Sequence, residues 1–347
     1  MTCVYLGKPQ PGKKTPDGRQ VHNCRIHTFC VTEGAPSPLA SCARCKNRLT
    51  VDDTNLKTVY QDPLIIQDRE GTATTALRNL LSGRPSFLVC GGPSARSLPL
   101  QQLNQRGVWS IAVNNMAGHH QFQPSAFTCA DPPLKFHHGI WLDPTVMKFV
   151  PSAKFSGRRS KLKQKVGEVF EELTVDGKKV SVTDCPNTWR FGRQSHITPD
   201  DQFFLSDHAA WGNNDAGTKQ TGGKKTVMTM LLALRLLYYL GSRTIYLVGV
   251  DFKMDPTAGQ FSNYAFGQSR DPGACDSNNA QFAVANEWLC EMQRNGTFSR
   301  FGLEVYNCNQ QSGLRAFEHV PFDLAIADTL KNFPKEPFDL EGWYEKK

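Results

Sequence analysis

A glycine-rich turn is the first feature of the sequence whose residue types could do chemistry. Gly91, Gly92, Pro93 and Ser94 directly follow the short apolar run 86–90 and precede a stretch compatible with a helix. Glycine lets a backbone turn tightly and approach a ligand closely, and the unpaired amides at a helix start attract phosphate. Ser94 can cap that helix and offer its hydroxyl. The turn is therefore predicted to bind an anionic ligand.

Four polar residues follow predicted strands at the point where each strand ends: Asn114, Asn115, Asp131 and Asp251. In an open parallel sheet, ligands bind at the carboxyl ends of the strands, so these side chains are expected to share a site with the glycine turn. The alternative is the ordinary use of Asn and Asp in turns.

A second glycine pair opens a predicted helix over 224–240. Thr221, Gly222 and Gly223 stand before it, with Lys224 next. The spacing differs from the G-x4-G-K-[ST] phosphate loop and no strand is predicted before it, which excludes a nucleotide triphosphatase of that type. The segment can still hold an anion or a ribose.

The first 50 residues are rich in Gly, Pro, Lys and Cys and have little hydrophobic periodicity, so they need a bound metal or another cross-link to fold. Six side chains are spaced as zinc ligands: Cys3, Cys24, His27, Cys30, Cys42 and Cys45. Two short-range ligand pairs separated by a loop suit one tetrahedral zinc ion. The preferred set is Cys24, His27, Cys42 and Cys45, with Cys30 or Cys3 able to replace His27. An iron–sulfur cluster and unligated thiols are the alternatives.

The net charge is +8, which suits either a polyanionic partner or a basic protein without one. A cluster of basic residues lies within 154–180, and four of them are candidate contacts to an anionic acceptor or nucleic acid: Arg158, Arg159, Lys161 and Lys163. A solvated surface hairpin or helix is the equal alternative.

The order of the predicted strands and helices that carry these residues indicates an α/β fold. Short apolar runs ending in glycine or polar residues indicate an open, mostly parallel Rossmann-like sheet with helices on both faces. The expected organisation is a zinc-binding segment over 1–50, a linker with a helix at 72–81 over 51–85, the main domain over 86–332 and a tail over 333–347.

Composition excludes several classes of protein. The chain has 347 residues, 39% of them hydrophobic, which is enough for a sizeable core and unlike collagen, coiled-coil or disordered chains. No run of 18 uncharged apolar residues or signal-peptide pattern is present, so neither a membrane span nor a membrane partner is expected. Eleven cysteines, an odd number, favour a reducing compartment. The expected location is a bacterial or phage-infected host cytoplasm.

The order of these motifs resembles that of the bacterial sialyltransferase-like glycosyltransferases, which share their fold with pterin pyrophosphokinase-like proteins. The resemblance runs over about 86–315 and is carried by five short stretches: 87–94, 111–114, 221–222 with 233–241, 245–252 and 303–308. The cysteine-rich segment looks like those preceding similar domains in phage and environmental bacterial sequences.

The resemblance implies a nucleotide-sugar donor bound across the strand ends. Its phosphate and ribose would lie near the 91–94 turn, its nucleotide on Asn114, and its nucleoside near 221–223, while Tyr264 would reach the leaving phosphate. In the family a histidine before the last helix deprotonates the acceptor, and the stretch 276–279 has none. The candidate substitutes are Asp131, Asp276, His137 and His319.

The resemblance, together with the zinc segment and the positive charge, predicts a glycosyltransferase that acts on a polyanionic or nucleic-acid acceptor, for example a hydroxymethylated base in phage DNA. Three alternatives stay open: transfer to a glycan or small molecule, pterin-type pyrophosphoryl transfer, and a non-catalytic zinc-stabilised nucleic-acid-binding module. The oligomeric state is not predicted.

Overall fold

The structure is a computed structural model. It describes residues 6–14, 20–24, 30–32, 62–81, 84–133, 136, 139–166, 169–194, 198–210, 212–213, 226–259, 262–266 and 272–331.

The main feature is a ten-stranded sheet whose first eight strands, in spatial order, are parallel. Two antiparallel strands complete the far edge. From edge to edge the strands are β21 (Glu318–His319), β20 (Glu304–Asn307), β19 (Thr244–Val248), β6 (Ser86–Val89), β7 (Ser110–Val113), β8 (Ala126–Thr128), β9 (Met147–Pro151), β14 (Thr188–Phe191), β4 (Ile66–Gln67) and β5 (Ala73–Thr74).

Helices cover both faces of this sheet, as an apolar parallel strand requires. All four residues of β6 are buried and alternate between the faces. Leu88 packs in one core with the helix α3 (Thr229–Tyr239), while Phe87 packs in a second core with α6 (Phe322–Lys331). The predicted α/β fold with helices on both faces is confirmed.

The remaining elements are short, except for one long helix. The other helices are α1 (Gly139–Leu142), α2 (Gln202–Leu205), α4 (Pro272–Arg294) and α5 (Thr297–Arg300). The strands of the small sheets are β1 (Leu6–Lys14), β2 (Gln20–Cys24) and β3 (Cys30–Thr32); β10 (Lys163–Val166) and β11 (Val169–Glu172); β12 (Thr174–Val175) and β13 (Lys178–Lys179); β15 (Arg193–Gln194) and β16 (Ala209–Ala210); β17 (Gly212–Asn213) and β18 (Thr226–Val227). None of the helices in the described ranges has both the length and the apolar character that crossing a bilayer requires.

Residues 62–81 belong to the main sheet. The helix predicted at 72–81 was wrong, because this stretch contains β5 followed by turns. Arg235 on α3 is fully buried and makes a bidentate ion pair with Asp62, just before β4. The partnership fixes this early segment against the core, because a buried guanidinium without a carboxylate is costly.

Two other helices of the structure differ from the prediction, one in helix type and one in its first residue. The stretch after Ser94 contains two 3-10 helices, Pro93–Ser97 and Leu100–Asn104, in place of one longer helix. The helix predicted from residue 224 begins at Thr229, after the strand β18. Met228 keeps an extended backbone at that start, with φ −133° and ψ 129°.

The order of the strands reverses between β6 and β19. From β6 the chain continues outward through β7, β8, β9 and β14, and later returns to place β19 on the opposite side of β6. The loops after β6 and β19 both lie at this reversal, where a crevice opens at the carboxyl ends of the strands. Such a switch point is where open α/β sheets bind ligands.

Candidate functional site

A cavity of about 450 Å³ opens at this crevice. It brings together eight of the predicted site residues: Gly91, Gly92, Pro93, Asn114, Asn115, Asp131, Asp251 and Tyr264. They come from loops that follow four strands and from one later loop, so the common edge of the sheet assembles them.

The glycine turn is fixed against the loop that follows β19. The Gly92 amide donates to Gly249 O at 2.9 Å, and Ser94 donates to Asp251 Oδ2 from its hydroxyl at 2.9 Å and from its amide at 3.3 Å. These three donors thus bind the protein's own oxygens. The turn shapes the cavity wall, and its amides at 92 and 94 serve the fold.

Asp251 holds the centre of this network. Its side chain is 7% exposed, and its second oxygen, Oδ1, accepts from Asn309 Nδ2 at 2.8 Å. Burial raises the pKa of this carboxyl, although the hydrogen bonds from Ser94 and the charge of Lys253 oppose the shift. Asp251 therefore joins the loops after β6, β19 and β20. No sequence motif marks Asn309, because nothing at 303–308 shows that the next residue reaches a neighbouring loop.

The close approach of these loops leaves no space for a side chain at two glycines. A Cβ on Gly92 would lie 1.9 Å from Asp251 Oδ2 and 2.5 Å from Gly249 O. A Cβ on Gly249, whose φ is +64°, would lie 2.2 Å from Cys90 O. At Gly91, in contrast, the nearest atom would be Met116 Cγ at an ordinary 3.6 Å.

Asn114 lines the cavity and carries a buried acceptor. Its backbone has φ 55°, a left-handed conformation that Asn tolerates better than most residues. Its Oδ1 is buried and accepts no hydrogen bond from the described part of the chain. A buried acceptor without a partner costs free energy, so a ligand N–H or O–H placed here would be bound favourably.

Tyr264 is held over the glycine turn by the loop 262–266. Ala265 donates its amide to Gly91 O at 2.9 Å, and Arg96 donates to the carbonyl of Tyr264. Asn263 is buried and exchanges hydrogen bonds with the backbone of Asp255. These contacts fix the ring beside Gly91.

Apolar side chains also line the cavity. Phe252 has φ 53° and stacks on Phe282 of α4 with ring centroids 5.2 Å apart. Met116, Met228 and Met254 are further apolar residues of the lining. No motif identified these residues, which become neighbours only when α4 packs beside the loop after β19.

Within the described chain, the charged side chains that line the cavity are one cation, Lys253, and two carboxylates, Asp131 and Asp251. Cys90 also lines the cavity, but burial and the nearby Asp251 raise the pKa of its thiol. The thiol therefore stays protonated at neutral pH and is a poor nucleophile.

The four candidate bases are separated by the structure. Asp131 follows β8 and lines the cavity. Asp276 is exposed on α4 and His319 is exposed on the edge strand β21, and neither lines the cavity. His137 lies outside the described residues.

Two predicted phosphate and metal segments fall largely outside the described ranges. Thr221, Gly222 and Gly223 are among the residues not described. The same holds for Cys3, His27, Cys42 and Cys45, so the zinc site stays a prediction. The backbone of Cys30 pairs with Asn23, which places Cys24 and Cys30 at the same end of the β2–β3 pair. Among the side chains that the structure describes, no three His, Cys, Asp or Glu residues come together as a metal site.

The basic cluster forms a hairpin with acidic neighbours. The register of β10 and β11 pairs Lys163 with Glu172, and Lys179 makes a 2.5 Å ion pair with the same carboxylate. Hydrogen bonding from Lys179 lowers the pKa of Glu172, and Lys161 and Lys163 add to the shift. Part of the positive charge is thus compensated locally. Arg158 and Arg159 lie in the 3-10 helix Gly157–Ser160.

Comparison with known proteins gave no matching family model and no matching curated protein. Two solved structures are similar over most of their length. One is the sialyltransferase CstII from Campylobacter jejuni with the substrate analogue cytidine-5'-monophosphate, at 12% identity, a TM-score of 0.33, and coverage of 70% of this chain and 86% of that one. The other is a single-residue variant of Cst-II with CMP, at 12% identity, a TM-score of 0.34, and coverage of 69% and 87%. These values describe a remote likeness.

Proposed function

We propose that this chain is a nucleotide-sugar-dependent glycosyltransferase. The observation that carries the proposal is the cavity at the switch point, which unites the glycine turn, Asn114 and Asp131. Its volume of about 450 Å³ falls within the usual range for small-molecule sites. The lining contains both polar and apolar side chains, which suits a nucleotide because it has both hydrogen-bonding groups and a flat surface for stacking.

The donor would lie with its base or ribose toward Asn114 and the apolar side chains of the lining. The Asn114 Oδ1 would accept a hydrogen bond from an amino or hydroxyl group of the nucleoside. Because the amides of Gly92 and Ser94 bind protein oxygens, the donor phosphate depends on Lys253 and the Tyr264 hydroxyl. Because Lys253 is a single cation, it suits a donor with one phosphate better than a donor with two.

Asp131 would act as the base of the transfer step. Its carboxylate takes the proton of the acceptor hydroxyl while the hydroxyl oxygen attacks the anomeric carbon of the donor sugar. The bond from that carbon to the phosphate oxygen breaks, and the oxygen leaves with the electron pair. Lys253 and Tyr264 stabilise the charge that develops on the phosphate.

A nucleotide screen followed by a transfer assay tests this function. Cytidine and uridine nucleotides are expected to raise the melting temperature, and nucleotide sugars to be consumed. Asp131→Asn is expected to lower kcat by about 10²- to 10⁴-fold without weakening nucleotide binding, whereas the exposed Asp276→Asn is the matched control. An active Asp131→Asn enzyme, or a protein that no nucleotide stabilises, would refute the proposal.

The DNA acceptor stays a prediction of the sequence, supported by the net charge of +8. A hydroxymethylated base in a duplex would have to flip out to reach Asp131. Sugar transfer to such DNA, with binding that weakens as salt rises, is the expected result. Release of AMP from ATP in the same screen would instead indicate pyrophosphoryl transfer.

A further inference from the structure

One aromatic side chain at the cavity stands on an unusual backbone. Phe252 has φ 53°, a left-handed conformation that glycine and asparagine adopt far more readily than a bulky residue does. The loop after β20 fixes this backbone: the Gly313 amide donates to Asp251 O at 2.7 Å, and a Cβ on Gly313 would lie 2.7 Å from Phe252 O. Strain of this kind costs free energy and clusters at ligand sites, so it points to a use for the Phe252 ring.

A second ring stacks on the first and is fixed against the same loop. Phe282 on α4 faces Phe252 with a centroid distance of 5.2 Å and an interplanar angle of 23°. Asn279, three residues earlier on α4, donates to Met254 O at 2.8 Å and accepts from the Met254 amide at 2.7 Å. Both rings are half-buried and both line the cavity, so the pair is open to a ligand.

We propose that Phe252 and Phe282 form a stacking platform for the nucleobase of the donor. The inference rests on the proposed function and names the residues that bind one part of its substrate. A base stacks favourably on a flat aromatic side chain, whatever the pattern of donors and acceptors along its edge. The ribose and the phosphate of the donor are not flat and gain no such contact.

The order of the strands favours the base of the donor over the acceptor as the occupant. Phe252 follows β19 and Asp131 follows β8, and β6 and β7 lie between these two strands. At a spacing of about 4.8 Å per strand, the two strand ends are about 14 Å apart. In the proposed reaction the acceptor hydroxyl meets the anomeric carbon at Asp131. The base is the part of the donor farthest from that carbon, so it belongs on the β19 side, with the ribose toward Asn114 after β7.

Ligands that differ in the base test the platform in the wild-type protein. CMP and AMP carry a pyrimidine and a purine on ribose 5-phosphate, and ribose 5-phosphate itself is the probe without a base. Competition calorimetry gives the Kd of each of the three. At least one nucleotide is expected to bind about 10-fold or more tightly than ribose 5-phosphate. Equal Kd values for all three ligands would overturn the inference.

Leucine substitutions assign the preference to the two rings. Phe282→Leu places a good helix former in α4, and Phe252→Leu keeps an apolar side chain at the same position. Each is expected to weaken binding of the preferred nucleotide about 5-fold or more, while the Kd of ribose 5-phosphate changes by less than about 2-fold. Phe301→Leu is the matched control, since Phe301 is half-buried and stacks on Phe204 at 4.7 Å but does not line the cavity.

Three outcomes of the variant series contradict the platform. One is unchanged nucleotide binding in a folded Phe252→Leu or Phe282→Leu protein. The second is an equal loss of ribose 5-phosphate binding, which marks a general distortion of the cavity. The third is the same loss of nucleotide binding in Phe301→Leu. Melting curves show that each variant is folded, and the wild-type comparison stands without them.

The nucleotide screen and the transfer assay separate this inference from the proposed function. Consumption of nucleotide sugars by a protein that binds ribose 5-phosphate as tightly as the nucleotides leaves the transferase standing and overturns the platform. Absence of stabilisation by every nucleotide refutes the transferase itself, and the platform with it.

Discussion

Replacing Gly92 by alanine is expected to distort the site, because the loops after β6 and β19 meet at this residue. The backbone at Gly92 has φ −70° and ψ 152°, which alanine adopts readily. The added Cβ, however, would lie 1.9 Å from Asp251 Oδ2 and 2.5 Å from Gly249 O. The whole effect therefore comes from contact, and one of the contacting atoms belongs to backbone that cannot rotate away.

The expected cost is about 2–6 kcal/mol of unfolding free energy. Overpacking of this kind costs about 1–3 kcal/mol. Separation of the loops also weakens the hydrogen bonds from Gly92 to Gly249 and from Ser94 to Asp251, at about 0.5–1.5 kcal/mol each. Urea unfolding measures the loss of stability, and the nucleotide-induced shift in melting temperature is expected to shrink with it.

The neighbouring glycine supplies the matched control. A Cβ on Gly91 would meet Met116 Cγ at 3.6 Å and Tyr264 Cδ1 at 3.7 Å, both ordinary contact distances. Gly91→Ala is therefore expected to change stability by less than about 1 kcal/mol. Equal stabilities for the two variants, or wild-type nucleotide binding by Gly92→Ala, would show that the loops do not meet as described.

Three further substitutions test other parts of the structure. Burial raises the pKa of Asp251 above its ordinary value of 3.8. The wild type is therefore expected to lose stability relative to Asp251→Asn as the pH rises from below 3.8 through the raised native pKa. Urea titrations at a series of pH values measure this difference. Asp62→Ala leaves the guanidinium of Arg235 buried without its carboxylate, so the free energy of unfolding is expected to fall by about 3–5 kcal/mol in urea titrations. Asn114→Gly keeps the left-handed backbone but removes Oδ1, so nucleotides are expected to bind about 3- to 10-fold more weakly by calorimetry, with stability nearly unchanged.

Each of these has its own control or contrary outcome. A stability difference between the wild type and Asp251→Asn that stays constant with pH would show that the carboxyl is not perturbed. Lys179→Gln breaks an exposed ion pair and is expected to leave stability nearly unchanged, and it is the control for Asp62→Ala. Asn79 has φ 59° but does not line the cavity, so Asn79→Gly is expected to leave nucleotide binding intact.

The part of the site that could be predicted from sequence consists of residues next to strand ends. Short apolar runs that end in glycine, Asn or Asp predict parallel strands, and the carboxyl ends of parallel strands share an edge. That reasoning placed Gly92, Asn114, Asp131 and Asp251 together, and the cavity contains all four.

The rest depended on contacts between distant segments. A helix is predicted at 72–81, but Leu77 and Leu81 are buried in turns beside β5, which pairs into the sheet through β4. Asn309 carries no motif, and its role follows from the loop after β20 lying against Asp251. Lys154 is buried, although it belongs to a local cluster of basic residues that suggested exposure.

The insertion of β19 beside β6 has a consequence for how the chain folds during synthesis. The register joins Leu88 to Leu247, so one side of the apolar strand β6 has no partner until more than half the chain has left the ribosome. Pairing across such a separation is slow, and an unpaired apolar edge invites association with other chains. Nascent or truncated chains that end before residue 244 are therefore expected to need chaperone protection, and they cannot bind nucleotide at this cavity before β19 closes the sheet.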